Sequence, residues 1–423
     1  MNPTTTTDPS VEPIPQALEG LRVCDFTGQL AGAGATKWLA AFGAEVIRIE
    51  DPVRQGRWDI LRGAEPFVDE RRGIDLGGAF NNHNADKLGI TLNLRTARGK
   101  QLLRELIATC DAVTENFAAG VLERLGFGYD ALREIKPDIV YVSNCGFGQT
   151  GPFHQFKTWG PIVQAVAGLT YSSALPGQPP AGWGYSYMDH TGGYYMAMAI
   201  LLALLHRKRT GEGQWVDLAC TESALGLHGP ALLNWTVNGA SLADNPVDSN
   251  RSQYQQMAPH GIYPAQGEDQ WLALACRTDH DWSALTELID QPWCLDPALT
   301  HQAARSARSA ELDQQIGAWT KGFDKHILVK QLRELPIAAA AVLTPAERID
   351  EQPHTRQFGL WPEVQHSAMG KVRIDGQPVR MSSTPWRHER GAPCLGEHNR
   401  RIYCDLLGLN EADYQQLIED AVI

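Results

Sequence analysis

At 423 residues, with 43% hydrophobic and 20% charged side chains, the chain exceeds one typical core and reads as a two-domain globular protein. Its net charge of −12 argues against nucleic acid and anionic membranes as partners, while a local basic patch stays compatible with an anionic small molecule. Eight scattered cysteines without a CxxC pair and 13 histidines without HxxxH spacing give no reason to expect a disulfide framework or a metal site.

The opening MNPTTTTDPSVEPIPQ has neither the basic start nor the apolar centre of a signal peptide, and residues 1–16 are expected to be a disordered tail. From Leu21 the pattern is strand (LRVCDF), glycine turn and helix (AGAGATKWLAAFG), then strand (EVIRIE), a βαβ unit that requires a parallel sheet. After an irregular stretch, residues 51–86, come ITLNL, the helix TARGKQLLRELIATC, the strand AVTEN, two short helices and the strand DIVYVSNCGFG. Ile162–Leu169 and Thr191–Arg209 read as helices, and QWVDLAC as a strand. The most apolar run, Met196–Leu205, is far shorter than the ~20 residues that span a bilayer, so a soluble cytoplasmic protein is expected.

Beyond residue 235 the pattern changes. GIYPAQGEDQWLALAC reads as a hairpin, followed by helices and short strands. The expected layout is a large Rossmann-like α/β domain with a parallel sheet over 17–235, linkers and a smaller α+β domain over 236–371, and a C-terminal return to the large domain over 372–423.

Two glycine-rich places invite chemistry. Gly32-Ala33-Gly34, with Glu50 closing the next strand, resembles a dinucleotide-binding turn, but Lys37 stands where the third glycine would be needed for close helix–strand approach. An NAD-dependent dehydrogenase is therefore a weaker alternative. The segment GWGYSYMDHTGGYYMAMAILLALLHRKRTG places Asp189 at the start of a long apolar helix whose last turn carries cations and stops at Gly211. By itself Asp189 reads better as an N-cap than as a catalytic group.

Several segments in fixed order then point to a family: LEGLRVCDFT, LAAFGAEVIRIEDP, ENFAAGVLERLGFGYDALREIKPDIVYVSNCGFGQTGP, the Asp189 stretch, RTGEGQWVDLACTESAL and APCLGEHN. From about Leu18 to Leu409 the chain resembles the class III CoA-transferases, which include formyl-CoA:oxalate and carnitine CoA-transferases. The resemblance implies an interlocked dimer, homodimeric or with a related subunit, and the irregular stretches 51–86 and 235–255 are compatible with crossings between subunits. It implies acyl-CoA and a carboxylic acid as substrates, with coenzyme A as cargo and no permanently bound cofactor. It implies Asp189 as the nucleophile, with Asn116 and Phe117 near the CoA and Arg124 and Lys157 available to its phosphates. Leu30 occupies a position where some members carry a substrate-proximal glutamine, which weakens an oxalate-like acceptor.

Backbone N–H groups at Gly192 and Gly193 are candidates for oxyanion contacts. Trp159, Trp183, Tyr185 and Tyr187 cluster around Asp189 and suggest an aromatic-lined substrate pocket. That local pattern resembles the succinyl-CoA:benzylsuccinate type, with succinyl-CoA as donor and a bulky, aromatic or dicarboxylic acid as acceptor. Arg251, Arg277 and His260 are candidates to pair with a distal carboxylate. Two alternatives share the fold. An α-methylacyl-CoA racemase needs a His/Asp pair, yet KTWGPIVQAVAGL holds neither, and His190 diverges from Asp189 by about 100° on a helix. A catalytic or binding subunit of a heteromeric transferase is the other; retention of Asp189 speaks for the catalytic one.

Overall fold

A computed structural model of the chain describes residues 15–173, 177–182, 186–240 and 257–423. Two compact units emerge, the larger from the described residues up to Leu169, Gly182–Gly229 and His354–Ile423, the smaller from Thr170–Ala181 and Pro230–Pro353.

The large unit begins with strand β1 (Arg22–Phe26), helix α1 (Ala31–Ala41) and β2 (Glu45–Glu50). Next come α2 (Gly78–Asn84), β3 (Leu88–Thr91), α3 (Ala97–Ala108) and β4 (Ala112–Glu115). Helices α4 (Val121–Arg124) and α5 (Tyr129–Ile135), β5 (Val140–Cys145), α6 (Gly160–Val166), α7 (Tyr187–Thr210) and β6 (Trp215–Ala219) follow. The six strands form one parallel sheet in the order β3-β2-β1-β4-β5-β6.

Because alternate residues of a strand face opposite sides, the sheet carries two cores. Val23, Val46, Ala112, Val140 and Val142 pack with Leu39 of α1 and Met196, Ile200 and Leu204 of α7. Their neighbours Cys24, Ile47, Ile90, Val113 and Tyr141 pack on the other face with Leu102, Leu103 and Leu106 of α3 and with Ile402 and Tyr403 of the C-terminal return. The GEHN motif also straps the sheet edge. His398 Nδ1 accepts from Gly89 N–H at 3.1 Å and Asn399 Oδ1 from Thr91 N–H at 2.8 Å, covering donors that edge strand β3 would otherwise leave open.

The smaller unit holds most of α8 (Leu225–Asn238) and the antiparallel sheet of β7 (His260–Pro264), β8 (Trp271–Ala275) and β9 (Ala338–Ala341). The expected GIYP/WLALAC hairpin is its β7–β8 pair, and the core lies beneath helices that carry Trp282, Leu285, Leu312, Ile316 and Leu328. All eight cysteines are free thiols.

The irregular stretch after β2 is stitched into the large unit. Asp59 and Arg62 are buried, and their charges meet those of β1, β2 and Lys87. Arg48 pairs with Asp59 at 2.8 Å, Arg62 with Glu50 at 2.5 Å and Lys87 with Asp25 at 3.2 Å, all with fully buried side chains. Three cations thus balance three anions in a dry interior, where an unpaired charge is costly. The network ends on the β1–α1 turn: Arg48 donates to the Thr27 carbonyl at 2.5 Å, and Asp59 accepts from Gln29 N–H at 3.0 Å. Replacement of Asp59 by Ala removes the partner of Arg48 Nη2 and of that N–H inside a buried ion network, and equilibrium denaturation of D59A is expected to show a loss of about 3–5 kcal/mol.

Candidate active site

The order of the sheet reverses between β1 and β4, and in open parallel sheets ligands bind in the crevice beyond the strand ends at such a point. Here the chain leaves β1 through Thr27–Leu30 and leaves β4 through Asn116. The Asn116 side chain spans the crevice, accepting from Gly28 N–H at 2.8 Å and donating to the Gly28 carbonyl at 3.0 Å. Gln29 holds a left-handed φ of 54° beside this clamp, a strained conformation for a residue with a Cβ.

Over the crevice opens a cavity of about 380 Å³ whose lining includes Gly28, Gln29, Trp58, Asn116, Phe117 and Trp159. A second cavity of about 900 Å³ shares Ala118, Ala119, His154 and Lys157 with it and continues past Arg124 to Tyr129, Tyr141 and Trp215. Asn116, Phe117, Lys157 and Trp159 are thus gathered on one cavity, and Arg124 and Lys157 present exposed cations along the next. Phe117 packs against Trp58, with ring centroids 5.1 Å apart and planes tilted by 59°.

Asp189, on α7, lines neither cavity itself; its side chain packs against Gly160, the residue after the lining Trp159. That helix starts at Tyr187, four residues before the expected Thr191, with Ser186 in the cap position. Asp189 is therefore the third residue of the helix, with its own N–H bonded to the Ser186 carbonyl at 3.0 Å, and it is not the N-cap. Its Oδ2 lies so close to Gly160 that a Cβ there would sit 2.9 Å from it. Gly160 directly follows the lining residue Trp159, and its missing Cβ leaves the carboxylate its space. Burial pushes the Asp189 pKa up to about 6, against the opposing pull of a hydrogen bond from Ser186. A carboxylate in this state is charged at neutral pH yet poorly solvated, which suits a nucleophile.

Gly192 and Gly193 do something other than line the cavity. Both are buried in the second turn of α7, where helical N–H groups bond to the carbonyl four residues back. A Cβ on Gly192 would lie 2.7 Å from Cys220 Sγ, and one on Gly193 would lie 2.7 Å from the Ala31 carbonyl. They let α7 sink against α1 and β6. Leu30 faces a separate small cavity with Lys37, His83, His190 and Asp375. Tyr187 is exposed on the first turn of α7, and Trp183, Tyr185 and Arg251 lie outside the described residues. Arg277 and His260 belong to the smaller unit, where Arg277 lies 3.9 Å from Asp281.

The dinucleotide-like turn is explained by packing. A Cβ on Gly32 would sit 2.7 Å from Asn116 Cγ, so this glycine admits the Asn116 clamp. Glu50 is held by Arg62 and is not offered to a ribose, and Lys37 is buried in an ion pair with Asp375.

The chain matches the model of CoA-transferase family III over residues 18–399. It belongs to that family and is a CoA-transferase. It is 32% identical to a succinyl-CoA–D-citramalate CoA-transferase of Chloroflexus aurantiacus, with 97% of this chain and 98% of that one covered. A formyl-CoA:oxalate CoA-transferase of Streptomyces coelicolor is 31% identical over 96% of this chain and 99% of its own. Among solved structures, a CaiB/BaiF family protein from Brucella suis superposes with a TM-score of 0.83 at 28% identity, over 92% of this chain and 99% of that one.

Three features of this CoA-transferase's site escaped the sequence reading. Trp58 lies in an irregular stretch with no periodicity, and Gln29 takes a left-handed φ without being glycine. Glu115 closes β4 as a buried carboxylate, and burial raises its pKa to about 7.

The raised pKa of Asp189 has a consequence for stability. Between pH 3.8 and about 6 the folded state holds more of this proton than the unfolded chain, so stability falls as pH rises through that window. Asp189→Asn removes the charge. Thermal unfolding at about pH 8 is expected to show the variant more stable by ~1–2 kcal/mol for this half-buried group, with the gain gone at about pH 4.

Proposed function

We propose that this CoA-transferase moves CoA from succinyl-CoA to a small dicarboxylic acid, with Asp189 as the covalent carrier. The observation that carries the reading is the Asp189 carboxylate, half-buried against Gly160, the residue that follows the cavity-lining Trp159. An Asp189 oxygen attacks the thioester carbonyl, forming a mixed anhydride and expelling CoA thiolate. The thiolate attacks the Asp189 carbonyl, giving an aspartyl-CoA thioester and releasing succinate, which leaves with one Asp189 oxygen. The acceptor carboxylate attacks that thioester and again expels thiolate. Thiolate attack on the acceptor carbonyl then yields the new acyl-CoA and restores the Asp189 carboxylate. Each bond broken is replaced by one of similar activation, so the chain's own residues need supply only position and a dry site.

The pantetheine fits over Asn116 and Phe117, and the phosphates fit beside Lys157 and Arg124 in the larger cavity. Relatives named for citramalate and mesaconate, both at 32% identity, support a small dicarboxylic acceptor over benzylsuccinate. A dimer is supported by exposed apolar side chains in single-chain form: Tyr194, Leu201, Leu202 and Leu205 on α7, with Leu233 and Trp235 on α8. The protein would work in the cytoplasm, where acyl-CoA is available.

Incubation with succinyl-CoA followed by mass spectrometry is expected to show CoA on the Asp189 peptide, absent in Asp189→Ala, whose transfer rate drops at least ~1,000-fold. In the same assay citramalate or mesaconate should be faster acceptors than benzylsuccinate. Retained transfer by Asp189→Ala refutes the mechanism, and a preference for benzylsuccinate refutes the small acceptor.

A further inference from the structure

We propose that Glu115 and Gln149 are positioning residues that hold the shared floor of the two cavities in the shape acyl-CoA requires. The inference rests on the CoA groove proposed above. Between the end of β4 at Glu115 and the start of α4 at Val121 the backbone belongs to neither strand nor helix, so its N–H groups need side-chain acceptors. Phe117, Ala118 and Ala119 of this segment line the smaller cavity, and Ala118, Ala119 and Gly120 line the larger.

Two side chains supply those acceptors. Glu115, 1% exposed, accepts from Phe117 N–H at 2.6 Å. Its other oxygen accepts from the Gln149 amide at 3.0 Å and from the Tyr141 hydroxyl at 3.2 Å. The Gln149 carbonyl oxygen accepts from Gly120 N–H at 2.9 Å, while the Gln149 backbone N–H donates to Asp217 at 2.8 and 3.0 Å. One connected network therefore ties β4, β5 and β6 together at the groove, where its Tyr141 and Gln149 line the larger cavity themselves.

The network admits no rearrangement that keeps every bond. Three donors converge on Glu115, so a glutamine there turns an NH₂ group toward one of them. If Gln149 flips to accept from that group, its own NH₂ then faces Gly120 N–H. Either way, one end of the Phe117–Gly120 segment loses its hold. Asp189 is not a member of the network, so the chemistry itself should be spared.

Steady-state kinetics on folded Glu115→Gln and Gln149→Ala, each checked by circular dichroism, tests this. Gln149 is only partly buried, so its truncation keeps the test open if Glu115→Gln does not fold. Expected is a rise of about tenfold in KM for succinyl-CoA, with kcat within about twofold and KM for the acceptor unchanged. An unchanged KM for succinyl-CoA in Gln149→Ala, or a loss confined to kcat, overturns the proposal. Lys157→Ala separates the two levels. A KM rise there with none in Gln149→Ala leaves the groove standing and removes the network's role, whereas no rise in either removes both.

Discussion

The site depends on a set of charges that never meets solvent. Asp25, Arg48, Glu50, Asp59, Arg62 and Lys87 are all buried, and their balance is what fixes the turn after β1. Burying six charges is costly, and well-packed apolar residues would often stabilise a core as well or better. What the ions add is direction. Arg48 and Asp59 hold the carbonyl of Thr27 and the N–H of Gln29, and Lys87 donates to the Ala33 carbonyl at 3.0 Å, so the turn and the start of α1 are set from below. Asn116 then locks the same turn from the side, and the crevice at the sheet's reversal point acquires a rigid lip.

Asp189 shows the opposite economy. Among the described residues Ser186 supplies the hydrogen bond that lowers its pKa, and burial is the larger effect that raises it. A carboxylate satisfied by three or four donors would be stable and inert. The glycines around it serve packing: Gly160 leaves the carboxylate its space, while Gly192 and Gly193 bring α7 down onto α1 and β6. Under the proposed mechanism, stability given up at Asp189 is the expected cost of a nucleophile that must not be solvated.

Much of this was legible in the sequence. Strand and helix alternation announced the parallel sheet, and ordered motifs announced the family. Asn116, Phe117, Lys157 and Trp159 line one cavity, while their roles toward CoA and acceptor belong to the proposed function. The start of α7 was misplaced because Ser186-Tyr187-Met188 carries no apolar periodicity, although a serine three residues before Asp189 is a usable start signal. The packing roles of Gly160, Gly192 and Gly193 were not legible because a sequence shows that a residue lacks a Cβ, not what would collide with it. The internal ion network was hidden for a related reason: Asp59 and Arg62 look like solvated charges until the fold of residues 51–77 turns them inward.

The central claim is that Asp189 carries the CoA through a thioester and returns to a carboxylate by taking an oxygen from the acceptor. Turnover with an acceptor labelled with oxygen-18 in its carboxylates tests it directly. The account predicts one labelled oxygen in the Asp189 side chain, read by mass spectrometry of its peptide, and labelled succinate from the next round. An unlabelled Asp189 after many turnovers would contradict it.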